Sequence, residues 1–401
     1  MEKSFLEQLE RERARFPVLQ NTAYLETAGT GLIPDYVYEG VKKYQDDRYL
    51  IGGDSRWGEG KGTLAMIAEA KENLAGMINA SPEDLAFGNN SSQMFNLFVN
   101  GIDLKKGDNV VLTEGGWIGT RYAWQLQESY GVELRYVKPI QGVVTPQMLF
   151  EKCDRRTRAV SVNYVESTTG FRVDAAEIGA WCRRKGIWFA VDGVQALGIL
   201  SVDVERDQID FLVGNDYKWM MHYSGLGYAY IHPKLRERLH HWGAGWMSDV
   251  ERFNTSKEHL VLRRDAGAYE QGYPTVSGIF ALGMVAKHYL NLGGKRLENY
   301  MLDFVEKACE ELEKIPGVSV WNKYERKNRS TIVVVLLSKE LQVTQEKLDR
   351  AHVAAHVQDG ALYGADQSMR ISFHYYNNWE DVKALCQAIQ SCRDSRFARK
   401  S

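Results

Sequence analysis

Val191-Asp192-Gly193-Val194-Gln195-Ala196, Asp210-Phe211, Asn215-Asp216-Tyr217-Lys218-Trp219 and Gly225-Leu226-Gly227-Tyr228, all within residues 191–230, decide how this chain folds. A β-branched and aromatic run, Ile187-Trp188-Phe189-Ala190-Val191, ends in the acid Asp192. A second apolar run, Phe211-Leu212-Val213, leads into Lys218. Short apolar runs of this composition read as buried strands. In open α/β sheets, ligands bind beyond the carboxyl ends of the strands. The stretch therefore predicts a carboxylate and an amine at the ligand-binding edge of a sheet.

Upstream, short apolar runs at 109–113, 133–137, 159–163 and 187–191 alternate with amphipathic segments. One of these, 174–185, has Asp174 placed as an N-cap. Strand and helix alternating at this spacing predict a mainly parallel sheet flanked by helices, an α/β fold. Residues 2–15 read as a short charged helix. After about residue 265 the pattern changes. Helices are expected at 275–292, 295–313, 344–356 and 380–392, and strands at 318–321, 331–337 and 369–373. The expected organisation is an N-terminal helical arm (1–20), a large domain (21–270) and a smaller α+β C-terminal domain (271–401), with helix 275–292 connecting the two.

The chain has 401 residues, with Lys+Arg 50 against Asp+Glu 52. This near balance, without a basic block, argues against a nucleic-acid partner. The charged start lacks the apolar core of a signal peptide, and no run is apolar enough to span a bilayer. The five cysteines are scattered and lack metal-ligand spacing. They read as reduced thiols, and a cytoplasmic protein without a metal is expected. No Gly-x-Gly-x-x-Gly turn follows a predicted strand in the first half, which disfavours a dinucleotide-binding enzyme.

Several short segments match a known family, in order along nearly the whole chain. Tyr24-Leu25-Glu26-Thr27-Ala28-Gly29-Thr30-Gly31 is similar to its "YLDNAATG" opening. Asn90-Ser91-Ser92 falls at its phosphate turn, and Gly170-Phe171-Arg172 at its "TGFR" segment. Arg370-Ile371-Ser372-Phe373-His374-Tyr375-Tyr376-Asn377, with Asp381, resembles "RxSxxxYNxxxD". The chain thus resembles the class V, fold-type I enzymes dependent on pyridoxal 5'-phosphate (PLP). These include cysteine desulfurases, selenocysteine lyases, isopenicillin-N-epimerase-like proteins and kynureninases. The resemblance implies PLP as cofactor, an amino-acid substrate and a homodimer with a shared active site.

The resemblance also implies roles. Lys218 would bind the cofactor aldehyde as an imine and then shuttle the substrate's Cα proton. Asp192 would hold the pyridine nitrogen protonated. Taken alone, these two fit a snorkelling lysine and a helix-capping aspartate equally well. Gln195 would reach the phenolic oxygen. Ser91 and Ser92, ahead of an amphipathic stretch at 93–101, would bind phosphate, with Asn215 and Tyr217 adding contacts. Trp117, after Gly115-Gly116, would stack on the ring. Arg370 would take the substrate carboxylate as a two-pronged pair, closed on its other side by Ala28 and Gly29. Trp57, Trp117, Tyr363 and Tyr375 or Tyr376 are expected near the entrance, or else at an interface.

Three departures bear on function. No cysteine lies between Cys309 and Cys386, where desulfurases carry a persulfide-forming cysteine on a loop. Glu166 stands where relatives have a neutral residue, so it is expected either to have a raised pKa or to face the substrate. Tyr273, in Glu270-Gln271-Gly272-Tyr273-Pro274, replaces the threonine of an "ExGT" turn that binds the neighbouring subunit's phosphate. The resulting expectation is β-elimination by a carbon–sulfur lyase on a cysteine-type substrate, not a persulfide-forming desulfurase. A class V aminotransferase or an amino-acid epimerase is the alternative. A kynureninase is supported only by Tyr217, and a non-catalytic PLP-binding protein would have no use for Arg370.

Overall fold

The apolar runs ending at Asp192 and leading to Lys218 lie at the centre of a seven-stranded sheet in the computed structural model, which describes residues 2–52, 62–321 and 323–393. In chain order the strands are β1 (Ala23–Tyr24), β2 (Leu85–Gly88), β3 (Asn109–Thr113), β4 (Glu133–Val137), β5 (Thr157–Asn163), β6 (Trp188–Asp192) and β7 (Phe211–Asn215). They continue with β8 (Gly227–Ile231), β9 (Val318–Val320), β10 (Ile332–Leu337), β11 (Val353–Ala354), β12 (His356–Asp359) and β13 (Gln367–Ser372). The large sheet runs β2-β8-β7-β6-β5-β3-β4 and is parallel except for β8, which is antiparallel to β7 and β2. Every residue of β3, β6 and β7 except Trp188 is buried. Helices cover both faces, as strands apolar on both sides require.

One face is closed by the helices Ser91–Gly101 and Ile118–Glu128, with Phe98 stacked on Phe211 at 5.0 Å and edge-on to Trp124 at 5.9 Å. The other face is lined by Ile178 and Cys182 of the helix Ala175–Lys185, in a core shared with the helices Thr63–Ile78 and Val276–Leu292. Asp174 caps its helix by accepting from the Glu177 amide at 3.1 Å, and Thr275 caps 276–292 in the same way through Gly278. The C-terminal segment forms an antiparallel sheet, β12-β13-β10-β9.

The 23–31 segment joins the two sheets at the point that matters. β1 pairs with β11, and Glu26 bridges to Ser372 just beyond Arg370. Gly31 donates to the Tyr217 carbonyl at 2.8 Å, and a Cβ there would collide with the Lys218 carbonyl. Only glycine lets the backbone come this close. The "RxSxxxYNxxxD" residues past Ser372 hold this junction together. Asn377 donates to Tyr24 O and to Asp381, and Arg13 donates to both Asp381 oxygens at 2.7 and 2.9 Å.

Several elements differ from the sequence reading. The helix expected at 344–356 is only Gln345–Arg350. His352 adopts a left-handed backbone (φ 56°), which ends the helix, and Val353 then pairs with Ala23 in β11. The strand β2 and the helices Asp35–Leu50 and Thr63–Ile78 were not anticipated. No described helix is long and apolar enough to cross a membrane.

Candidate active site

Lys218 lies just beyond β7 and Asp192 ends β6, so the parallel pairing of these neighbouring strands brings amine and acid together. One pocket is lined by Lys218, Asp192, Gln195, Asn215, Tyr217 and Trp117, with Ser91 at its rim. Burial holds the Lys218 ammonium down at about 8, with Asp192 pulling the other way and Arg370 adding to the depression. The amine lies 5.3 Å from the Trp117 ring centroid and 5.9 Å from that of Tyr217. A lysine partly neutral near pH 8 is a usable nucleophile.

Asp192 is fully buried, and burial raises its pKa against the opposing pull of the Val194 amide and Lys218. Val194 N donates to Oδ1 at 3.0 Å. No donor reaches the other oxygen among the described residues. A buried carboxylate with one free oxygen, in a pocket shared with an amine, fits a protonated ring nitrogen. Gln195 is firmly oriented. Trp219 Nε1 can only donate, and it donates to Gln195 Oε1 at 2.8 Å, so the amide nitrogen is the end that reaches Ala28 O at 3.1 Å. The second amide hydrogen remains for the pocket.

Ser91 does not precede the helix as expected. Asn90 is the N-cap, accepting from the Gln93 amide at 2.8 Å, and both serines belong to the first turn. Ser91 lines the pocket. Ser92 does not, and lies against Gly119 instead. Arg370 lies inside β13 rather than at its start, opposite Val334 on one side and His356 on the other. It makes one hydrogen bond, Nη1 to Ser167 O at 3.2 Å, and among the described residues no carboxylate pairs with it. Ala28 is drawn to the same place, its amide donating to Ser372 Oγ at 3.0 Å, and Gly29 follows.

Tyr273 is elsewhere in the chain, edge-on to Trp246 at 4.9 Å in a different pocket. Of the expected entrance residues that are described, only Trp117 is well exposed, at 47%. Tyr375 and Tyr376 are buried beside His374 and Phe16, because the motif they belong to turns inward to hold the 23–31 segment. Tyr363 is buried and donates to Thr168 O at 2.8 Å. Trp57 lies outside the described residues.

Glu166 sits behind the pocket, not in it. Thr113 donates to one oxygen and Asn163 Nδ2 to the other, each at 3.0 Å. Burial pushes its carboxyl up to about 7, the two hydrogen bonds oppose this, and the Asp192 charge adds to it. A folded-state pKa above the unfolded value makes folding more favourable below about 4.5, and this contribution is lost as the pH rises towards 7. Glu166→Gln is therefore expected to stabilise the apoprotein at pH 8 by at most roughly 3 kcal/mol and to flatten stability between pH 4.5 and 7. Denaturant unfolding across that range checks it. An unchanged slope would show that Glu166 does not titrate there.

Two site features escaped the sequence reading. Asn163, which pairs with Asp192 across the strands, lines the pocket and links it to Glu166. Asp216, pushed up to about 7 by burial, accepts from Leu226 N at 2.8 Å and so ties down the loop after Lys218. Polarity at the carboxyl end of the predicted 159–163 strand was the available signal for Asn163. Nothing local marked Asp216.

The sequence profile of the Aminotransferase class-V family matches residues 23–385. A probable cysteine desulfurase of Methanothermobacter thermautotrophicus is 24% identical over 390 residues, covering 94% of this chain and 96% of that protein. A cysteine desulfurase of Salmonella agona is 26% identical, covering 95% and 97%. Among solved structures, the cystine C-S lyase C-DES in complex with its reaction product cysteine persulfide superposes with a TM-score of 0.83. Its sequence is 20% identical, with 94% of this chain and 99% of that one covered. These relatives overturn one expectation. The missing loop cysteine was read as excluding a persulfide-forming desulfurase, yet whole-length relatives are cysteine desulfurases. In the C-DES complex the reaction product is cysteine persulfide.

Proposed function

Because the chain belongs to the class-V aminotransferase family and is a PLP-dependent enzyme, we propose that it breaks the carbon–sulfur bond of a cysteine-type amino acid and that the sulfur leaves as a persulfide. The observation that carries an amino-acid substrate is Arg370, a half-buried guanidinium without a carboxylate partner, set near Lys218 and Asp192. A partly buried arginine without an acidic partner among the described residues is costly unless it serves a ligand. The sulfur rests on the relatives.

The pocket fits PLP. Lys218 would hold its aldehyde carbon, Asp192 its ring nitrogen and Trp117 one ring face. The first helical turn at Ser91, with Asn215 and Tyr217, would take the phosphate. When bound, PLP supplies an electron-withdrawing ring that makes the substrate's Cα–H acidic. Lys218, kept partly neutral by burial, would take that proton as the Cβ–S bond breaks, and the leaving sulfur would end protonated. Arg370, with the Ala28 and Gly29 backbone, would fix the α-carboxylate so that the Cα–H bond faces Lys218. Tyr273 does not line the Lys218 pocket of its own chain, and the resemblance gives its position to the neighbouring subunit's phosphate. A homodimer with a shared site is part of the proposal.

With a disulfide substrate the atoms balance without a cysteine on the enzyme. Cystine and water give cysteine persulfide, pyruvate and ammonia as the Cβ–S bond breaks and the leaving sulfur keeps its electron pair. The test is to incubate PLP-loaded protein with L-cystine or L-cysteine and to measure pyruvate, ammonia and persulfide. Pyruvate and persulfide formed from cystine in equal amounts are expected. Amino transfer to an added keto acid, or racemisation without sulfur release, would reject the proposal.

A further inference from the structure

The Glu26 carboxylate stands beside the groups assigned to the substrate's α-carboxylate and has no role so far. The chain turns tightly here, with the Gly29 and Thr30 amides donating to the Glu26 carbonyl at 2.9 and 3.2 Å. The turn lays the side chain against Gly29, where a Cβ would lie 3.5 Å from Glu26 Cγ and 3.6 Å from Oε1. The Glu26 backbone bridges to Ser372, on the same strand as Arg370. Burial lowers the Arg370 pKa, and the Glu26 charge is the first of two groups that oppose this, ahead of Tyr363.

His356 completes the group. It lies opposite Arg370 between β12 and β13, and directly opposed residues of an antiparallel pair share a face. Its Nδ1 is 3.8 Å from Glu26 Oε1, beyond hydrogen-bond length. No hydrogen bond reaches the Glu26 carboxylate among the described residues, and the side chain is 34% exposed. Its acceptor capacity is therefore open to a ligand.

Once an α-carboxylate sits on Arg370, the guanidinium charge is balanced and the Glu26 charge remains. A negative charge beside the clamp favours a second positive charge on the substrate and disfavours a second negative one. In cystine that positive charge is the ammonium of the departing half.

We infer that Glu26 recognises an ammonium group on the leaving portion of the substrate and so helps to set specificity. The inference rests on the amino-acid substrate proposed above and adds the class of side chain, one that carries a cation beyond its sulfur.

The test is to titrate PLP-loaded protein with S-(2-aminoethyl)-L-cysteine and with S-propyl-L-cysteine, following the visible cofactor band. The two ligands share the amino-acid end and are nearly equal in length. They differ in a terminal ammonium against a methyl group. The parent is expected to bind the aminoethyl ligand about threefold to tenfold more tightly. Glu26→Gln keeps the size of a partly exposed side chain. It should bring the two ligands within about twofold of each other by weakening the aminoethyl one. Equal binding by the parent overturns the inference without any variant. A variant that keeps the parent's preference overturns it too. So does one that weakens both ligands alike, because Glu26 would then act only through Arg370. A band that neither ligand shifts would reject the amino-acid substrate itself, and the inference with it.

Discussion

Lys218→Ala is expected to lower turnover at least about a thousandfold while leaving the fold intact. The loss would be this large because the lysine does two jobs, holding the cofactor and moving the Cα proton. Stability should not suffer. Burial depresses the Lys218 pKa, so the folded state already disfavours its charge, and removing the amine removes that cost. Steady-state kinetics, with thermal unfolding as the control, checks both halves. A variant that keeps even a tenth of the parent's turnover would show that the proton is carried by another group.

Asp192→Asn should lower kcat by about a hundredfold to a thousandfold while PLP still attaches at Lys218. The amide keeps the shape of the side chain and can still accept from Val194. It cannot hold a proton on a ring nitrogen, so the ring's pull on Cα weakens. The sign of the stability change sets this apart from simple damage. The Asp192 pKa is raised by burial, so its ionised form opposes folding once the pH exceeds its ordinary value. Removing the charge should leave the apoprotein at pH 8 at least as stable as before. A variant with parental kcat, or one that loses activity by unfolding, contradicts the assigned role.

The central sheet was legible because its inner strands are buried on both faces and so read as continuous apolar runs. The 109–113 and 133–137 strands were placed to the residue. Lys218 and Asp192 stood out through the flanking motifs, since each alone also fits an ordinary lysine or a helix-capping aspartate. Less could be read where tertiary contacts decide. The 344–356 segment has helical composition, but pairing with the N-terminal strand pulls Val353 and Ala354 into a ladder. Tyr375 and Tyr376 read as entrance aromatics because a motif gives no direction for its side chains, and here they face the core. The raised pKa of Glu166 depends on its complete burial and on two donors from separate strands, Thr113 and Asn163. Spacing along the chain shows neither. The loop cysteine misled for a chemical reason, since its absence says where sulfur cannot rest but not whether a persulfide forms.

Covalent capture of the cofactor tests the central claim most directly. Purified protein is mixed with PLP, reduced with borohydride, digested and mapped by mass spectrometry. A coloured protein before reduction and one phosphopyridoxyl group per chain, on Lys218, is the predicted result. A protein that stays colourless, or a label on any other lysine, would contradict the account.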